Sequence, residues 1–434
     1  MMSLGASSQS FRTGYFLDNY IYGYRINPAQ VNDRSSLGLF IGNFDLQNAS
    51  SVGVSSFLFP NPDGSSSLVT GLNKAISTDK FLGGLKNHNF VSLDENINLF
   101  ALGLSDGRRM HTIEVNTRVM GTASIPKSVF SLLKSGKTGT YDFNGLYADA
   151  SALADICYGY STVLGENLSV GGRFHLLFGL ANLNFRSRGS SVTMDEKAIV
   201  AGADMQLNAS GMIGFHTNED GGVDMRRIEF SPTPFGSLGA TLDLGCEYKS
   251  DFGLDAMVSI TDFGAISWNN KLSAQANASV EFKGFFSEGG NIKTDLDDLL
   301  DLNNALDYRV IKGRRGLRMM PCNIAAGARY QMPFWSGMTV GMLNTCHIGR
   351  ASSWFETRIG VTATPVRMVS VTANLGLGTM GPTWGTAVNL HLGPVNIIAG
   401  ADSFLSPLGK LKSTTFPINS FVENVHLGIS FTFN

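Results

Sequence analysis

The sequence predicts an all-β fold, a transmembrane antiparallel β-barrel, and three observations carry that prediction. Charged residues make up only 16% of the 434, against roughly 25% in a soluble globular chain, while Gly reaches 50 residues and aromatics 10%. No run of about 18 apolar residues is present, so a helical span is excluded and the apolar residues are spread thinly, as in a barrel wall. Finally, the closing stretch "NVHLGISFTFN" alternates perfectly: Val425, Leu427, Ile429, Phe431 and Phe433 lie on one face, and His426, Gly428, Ser430 and Thr432 on the other. A barrel leaves no free edge, so a final strand can end the chain uncovered by pairing with the first. The five apolar residues are therefore read as a C-terminal assembly strand facing lipid.

The same period of two recurs along the chain. In "ENLSVGGRFHLLFG", Leu168, Val170, Phe174, Leu176 and Phe178 oppose Arg173 and His175. In "GSLGATLDLGCEY", Leu238, Ala240, Leu242, Leu244, Cys246 and Tyr248 oppose Thr241, Asp243, Gly245 and Glu247. "KLSAQANASVEF" sets Leu272 to Phe282 against Ser273 to Glu281, and "WFETRIGVTA" sets Phe355, Ile359 and Val361 against Glu356, Arg358 and Thr362. Strand-like runs are expected at 37–44, 50–58, 97–105, 110–120, 152–161, 166–179, 197–213, 235–249, 253–262, 270–284, 322–332, 337–348, 353–364, 368–378, 383–392, 394–402 and 424–433. Single-chain barrels have even strand numbers, so at least one of these is not wall. "VLGEN", "KSDFG", "MPFWSG", "TPVRM" and "GPV" have hairpin-turn character, which makes the chain a long meander. Runs of this length exceed the usual 5 or 6 residues of soluble strands and suit a tilted crossing of a bilayer.

Three segments break the meander. Residues 1–36 are rich in aromatics (Tyr15, Phe16, Tyr20, Tyr22, Tyr24) without strict alternation, and residues 11–36 are expected to fill the lumen. An insertion near 121–151 contains a short helical patch. A second, near 284–321, holds an acidic helix (Asp295, Asp297, Asp298, Asp301) followed by a basic run. Within that run Arg314, Arg315 and Arg318 are candidate contacts for a partner protein or for lipopolysaccharide phosphate. These stretches are too long for tight turns.

The polar faces of the strands carry both signs. Glu114, Arg118, Asp155, Arg173, Asp243, Glu247, Arg329, Glu356 and Arg358, with Asp204, Asp255 and Asp402, are expected to form a hydrogen-bonded network inside a narrow lumen. A single-ion pore would instead carry a ring of one sign. No chemistry-bearing motif survives inspection. "GLGTMG" (376–381) fits the dinucleotide pattern but runs into Pro382 and another strand, where the pyrophosphate needs a helix N-terminus. "SGKTGT" (135–140) resembles a P-loop, but Ser131 stands where its first Gly is required. HExxH is absent, "GLSDG" (103–107) fits GxSxG but lies between two strand-like runs with no helix to make a nucleophile elbow, and His175, His347 and His391 sit singly in strands. Cys157, Cys246, Cys322 and Cys346 fit no zinc spacing. The chain is read as non-enzymatic, with no cofactor and no metal site. The net charge of −2 offers nothing to nucleic acid. A barrel must be exported, so a bacterial outer-membrane location and a cleaved signal peptide are expected.

Several stretches carry a family resemblance. Asn27-Pro28-Ala29, "ITDFGAISW" (260–268), "LGCEYKSDFGLDAMVSI" and "AAGARYQMPFWSGMTVGM" resemble elements of the long-chain fatty acid transporter (FadL-like) barrels and of a Bacteroidota outer-membrane barrel family of unassigned function. That group is similar in turn to the shuttle barrel of type 9 secretion. The resemblance implies about fourteen strands (14–16), a barrel over 37–434, and an N-terminal hatch over 1–36 that plugs the lumen. Two functions are consistent with it. One is a partner-binding subunit of an envelope complex for outer-membrane protein assembly or secretion, whose contacts are other envelope proteins, outer-membrane lipid and lipopolysaccharide. The other is passive transport of hydrophobic small molecules.

Overall fold

A computed structural model describes residues 11–62, 67–194, 199–219, 221–230, 236–282, 308–311, 315–349, 353–379, 381–403, 408–411, 414–417 and 421–434. The wall is a closed antiparallel barrel of 14 strands. In chain order they are β1 (Ser35–Ser50), β2 (His88–Ser105), β3 (Arg109–Pro126), β4 (Tyr147–Leu164) and β5 (Leu168–Ser187). β6 is made of two pieces, Ile199–Gly211 and Leu238–Lys249, and β7 is one strand, Leu254–Phe282. β8 is made of three, Arg309–Ile311, Arg315–Met319 and Cys322–Gln331. Then follow β9 (Met338–Ile348), β10 (Ser353–Val366), β11 (Val369–Gly378), β12 (Thr383–Leu392), β13 (Val395–Ser403) and β14 (Phe421–Phe433). β14 closes the barrel on β1, with Ser35 opposite Phe433 and Asp45 opposite His426.

Both pieces of β6 pair with β5 on one side and β7 on the other, in a continuous line. The stretch between them is an insertion that leaves the wall and returns. The three pieces of β8 follow β7 in the same way. The alternation suggested separate strands at 253–262 and 270–284, but β7 runs for 29 residues without a turn. The break in its pattern is a bulge. Thr261 and Asp262 together face the single residue Asp243, and Asp262 takes a φ of +60°. An extra residue of this kind bends a strand, interrupts the ladder locally and flips the side-chain parity beyond it, while pairing resumes on either side. Of the runs at 37–44 and 50–58 only the first is wall, within β1; the second falls on the loop after Ser50, with a 3-10 turn at Val54–Ser56. The insertion near 121–151 shrinks to 127–146, because β3 and β4 extend into it; its helix is Lys127–Ser135. The acidic helix expected near 295–301 lies outside the described residues.

Tight turns at 106–108, 165–167, 250–253, 332–337, 367–368 and 393–394 gather at one end, together with the start of β1 and the end of β14. At the other end the connections 51–87, 127–146, 283–308 and 404–420 are long, while 349–352 and 379–382 are short. Outward side chains are apolar around the wall, including Ile113, Leu176, Leu242, Leu244, Val361 and Leu375, and Tyr158, Tyr160, Tyr248, Trp335 and Phe433 girdle the short-turn end. This is the surface a bilayer covers. Strands of 18 to 29 residues are longer than the ~9–11 that a bilayer needs, so the wall projects beyond it at the long-loop end. On β14, Val425, Leu427, Ile429, Phe431 and Phe433 point outward and are exposed, while Asn424, His426 and Ser430 point inward and are buried.

Candidate functional site: a layered lumen

The interior is built in layers. At the short-turn end lies a cavity of about 410 Å³ with a polar lining, among it Gln30, Asn32, Glu247, Lys249, Arg329 and His391. Arg329 donates to the Tyr15 carbonyl at 3.2 Å and pairs with Asp255 at 3.4 Å, and Lys249 pairs with Glu247 at 3.6 Å.

Above it the chain from Phe11 to Val31 lies among inward-facing side chains. Phe11 stacks on His426 at 4.4 Å between ring centroids, and Tyr20, Tyr22 and Tyr24 are buried. The backbone carbonyls of Phe16 and Ile26 accept from Thr362 at 2.5 Å and from Ser259 at 2.7 Å. Asn27 and Pro28 come so close to the wall that only glycine fits opposite them. A Cβ on Gly245 would lie 2.2 Å from Asn27 Oδ1, and one on Gly171 would lie 2.1 Å from the Pro28 carbonyl oxygen.

The predicted charges divide into connected groups. Arg12 pairs with Asp402 at 3.1 Å and with Glu356 at 3.0 Å, and Arg358 also holds Glu356, at 3.0 Å. Across the lumen Glu114 accepts from Tyr24 Oη at 2.8 Å and from Arg25 at 2.7 Å, and Arg173 also reaches it. Arg173 continues to Asp243, which holds His175 at 3.0 Å. The other ring nitrogen of His175 meets Asp155 at 3.0 Å. Arg118 closes the chain on Asp155 at 2.7 Å and on Asp262 at 2.6 Å. The gap left inside this group is about 20 Å³, room for a single water, which needs at least ~10–15 Å³. Asp243, Arg173, Asp155, Arg118, Glu114, Glu356 and Arg358 thus meet partners, while Glu247 and Arg329 serve the cavity below. Arg12, Arg25 and Asp262 were not singled out from the sequence. The two arginines lie in a segment without strand periodicity, and Asp262 points inward only because of its bulge.

The next layer is apolar. Leu153, Leu177, Ile266, Trp268 and Met320 form a buried cluster on the inner wall, with Met120 against it. All but Leu177 line a second cavity of about 320 Å³, which also takes in Asp149, Arg186, Arg318 and His347. Arg318 faces this space and pairs with Asp149 at 2.6 Å; Arg314 and the side chain of Arg315 lie outside the described residues. Trp268 Nε1, Arg186 Nε and His347 Nε2 are buried here with no hydrogen-bond partner within the protein. Little in the sequence marks this layer. Each of its residues reads as outer wall or as a break in alternation, and the doublet "LL" at 176–177 puts one leucine on each face. Among the described residues no group of His, Cys, Asp and Glu could hold a metal ion.

A family model described as "Family of unknown function (DUF5723)" matches residues 28–402. No curated protein matches the chain. Among solved structures, the Ralstonia pickettii toluene transporter TbuX aligns at 8% identity and a TM-score of 0.46, over 96% of this chain and 94% of that chain. A Pseudomonas aeruginosa FadL homologue aligns at 10% identity and 0.45, over 97% and 95%. The P. putida toluene transporter TodX aligns at 10% and 0.42, over 96% and 94%.

Proposed function

The chain belongs to this family of unknown function (DUF5723), and we propose from its lumen that it passes hydrophobic small molecules across a bacterial outer membrane, without enzymatic chemistry. The observation that carries the proposal is the apolar inner layer of Leu153, Ile266, Trp268 and Met320 around a cavity of about 320 Å³. Barrel interiors are ordinarily polar, and an apolar pocket inside one has a use if an apolar molecule occupies it. In outer-membrane barrels long connections face outward, which sets this cavity on the outer side. At its level lies the part of the wall that is assembled from pieces. β6 leaves the wall after Gly211, and β8 is interrupted between Met319 and Cys322, where Pro321 has no N–H to give the ladder.

The test uses the purified barrel in vesicles and a panel of apolar compounds of increasing polarity. Quenching or shift of the Trp268 emission, lost in Trp268→Phe, is expected on binding, and Met320→Arg is expected to abolish uptake with folding intact. Unchanged uptake in Met320→Arg overturns the proposal.

A second reading, a partner-binding barrel in an envelope complex, is favoured by the filled interior between the two cavities. In this reading residues 11–34 act as a plug, and partners meet the loops and outer wall, Arg314 and Arg315 included. Mild-detergent co-purification with no uptake in the vesicle assay would select it.

A further inference from the structure

β6 leaves the wall at Gly211, whose φ is +77° and whose Cβ would lie 2.2 Å from the Leu180 carbonyl oxygen. Only glycine makes that exit. The chain then forms a hairpin, Ile213–Thr217 against Val223–Phe230, before β6 resumes at Leu238. Ile213 is directly opposite Phe230, and Phe215 is opposite Ile228. Opposed residues of an antiparallel pair point to the same side, so these four share one face of the hairpin.

Half of that face is covered. Phe215 and Val223 pack with Tyr308 onto the outward side chains Met205, Leu207 and Leu272 of β6 and β7. The tip is tied down by Val223 N–H to the Tyr308 carbonyl at 2.9 Å and Val310 N–H to the Gly221 carbonyl at 3.0 Å. The other half overhangs: Ile228 is 63% exposed and Phe230 75%. The intervening residues carry charge. Glu229 pairs with His216 at 2.9 Å, and Arg227 with Asp224 at 3.5 Å. The hairpin is therefore amphipathic, polar on one side and apolar on the other. Its bare apolar half comes where the chain rejoins the wall. Nearby on the wall, Leu317 and Met319 of β8 point outward at 76% and 58% exposure, opposite Ser267 and Ala265 of β7, and Leu238, opposite the same Ser267, is exposed as well. These side chains continue upward the outward apolar row of Leu242 and Leu244.

We propose that the base of this hairpin is immersed in lipid. Ile228 and Phe230 lie among the acyl chains at the long-loop rim of the bilayer, and the hairpin braces the outer wall where the two pieces of β6 meet. The partner is a lipid surface because the bare patch continues the lipid-facing belt and is backed by a charged, solvated face, the pattern of an interfacial element. The inference rests on the barrel spanning a bilayer and is independent of transport.

The experiment places a tryptophan at Phe230 (Phe230→Trp) or at the hairpin tip (Glu219→Trp) in the full chain, reconstituted in nanodiscs of ordinary or acyl-brominated phosphatidylcholine. The unsubstituted protein, with its four tryptophans, gives the baseline. The emission added by Phe230→Trp is expected to be lost in brominated lipid and to resist acrylamide, and that added by Glu219→Trp is expected to behave oppositely. Ile228→Trp repeats the test should Phe230→Trp fail to fold. Acrylamide quenching without bromine quenching at both 228 and 230 overturns the proposal. Shielding from both quenchers, with particles the size of two copies, overturns it in favour of a protein–protein contact.

Discussion

Glu114 shows what single residues do in this lumen. It is 1% exposed and takes hydrogen bonds from Tyr24, Arg25 and Arg173, which come from the N-terminal segment and from β5. A buried pair contributes little against an apolar replacement of both partners, but removal of one partner leaves an uncompensated charge at a cost of about 3–5 kcal/mol. Glu114→Leu takes the nearest carboxylate from Arg25 and Arg173, which keep only Asp45 at 3.9 Å and Asp243 at 3.4 Å, and is expected to lose stability on that scale, measured as an earlier urea midpoint of the folded, heat-modifiable band. Asp262 is a different case. Its positive φ costs something in itself, and it is held by the Asp243 carboxylate, which accepts its N–H at 2.6 Å, and by Arg118. The lumen positions of Asp243, Arg173 and Glu114 were readable from alternation alone. Asp262 and Trp268 were not, because a bulge inverts every face after it and leaves no mark in residue type.

At the scale of elements, β7 and β14 are opposites. β14 reads correctly from sequence: it pairs in regular register with β13 from Val425 to Phe431, and the irregularity opposite it belongs to β1, between Leu37 and Asn43, so its own alternation is unbroken. Leu427 sits mid-strand on the lipid side, and Leu427→Arg is expected to cost about 2–4 kcal/mol in equilibrium folding into vesicles, less if the site lies near the interface. β7 reads wrongly, because its bulge resembles a turn. Its continuity depends on Gly264, where a Cβ would fall 2.1 Å from the Ala240 carbonyl oxygen on β6. Gly264→Ala forces the two strands apart or strains the chain, and a loss of about 1–3 kcal/mol is expected from such overpacking, with the same folding assay as the check.

The whole molecule is a wall with a filled interior. Residues 11–34 and the ionic layers lie between the two cavities, and the gap inside the group of Glu114, Arg118 and Arg173 is about 20 Å³, too little for a hydrated ion. Planar-bilayer recording is expected to give low conductance for the intact protein and a marked rise after deletion of 11–34; high conductance before the deletion would contradict a closed interior. Protease is expected to spare Tyr20, Tyr22 and Tyr24 in the intact barrel. The sequence by itself determined that there is a membrane barrel, which end of the chain supplies the regular strand, and that strand charges such as Glu114, Arg173 and Asp243 turn inward. All of these depend on a period of two, and that period is local. Only the tertiary structure decided that β6 and β8 are single wall strands assembled from pieces, that β7 is undivided, and that an apolar layer interrupts the polar lumen. Each of those depends on which residue a strand meets across the ladder, and bulges and insertions reset that register without changing the composition on either side.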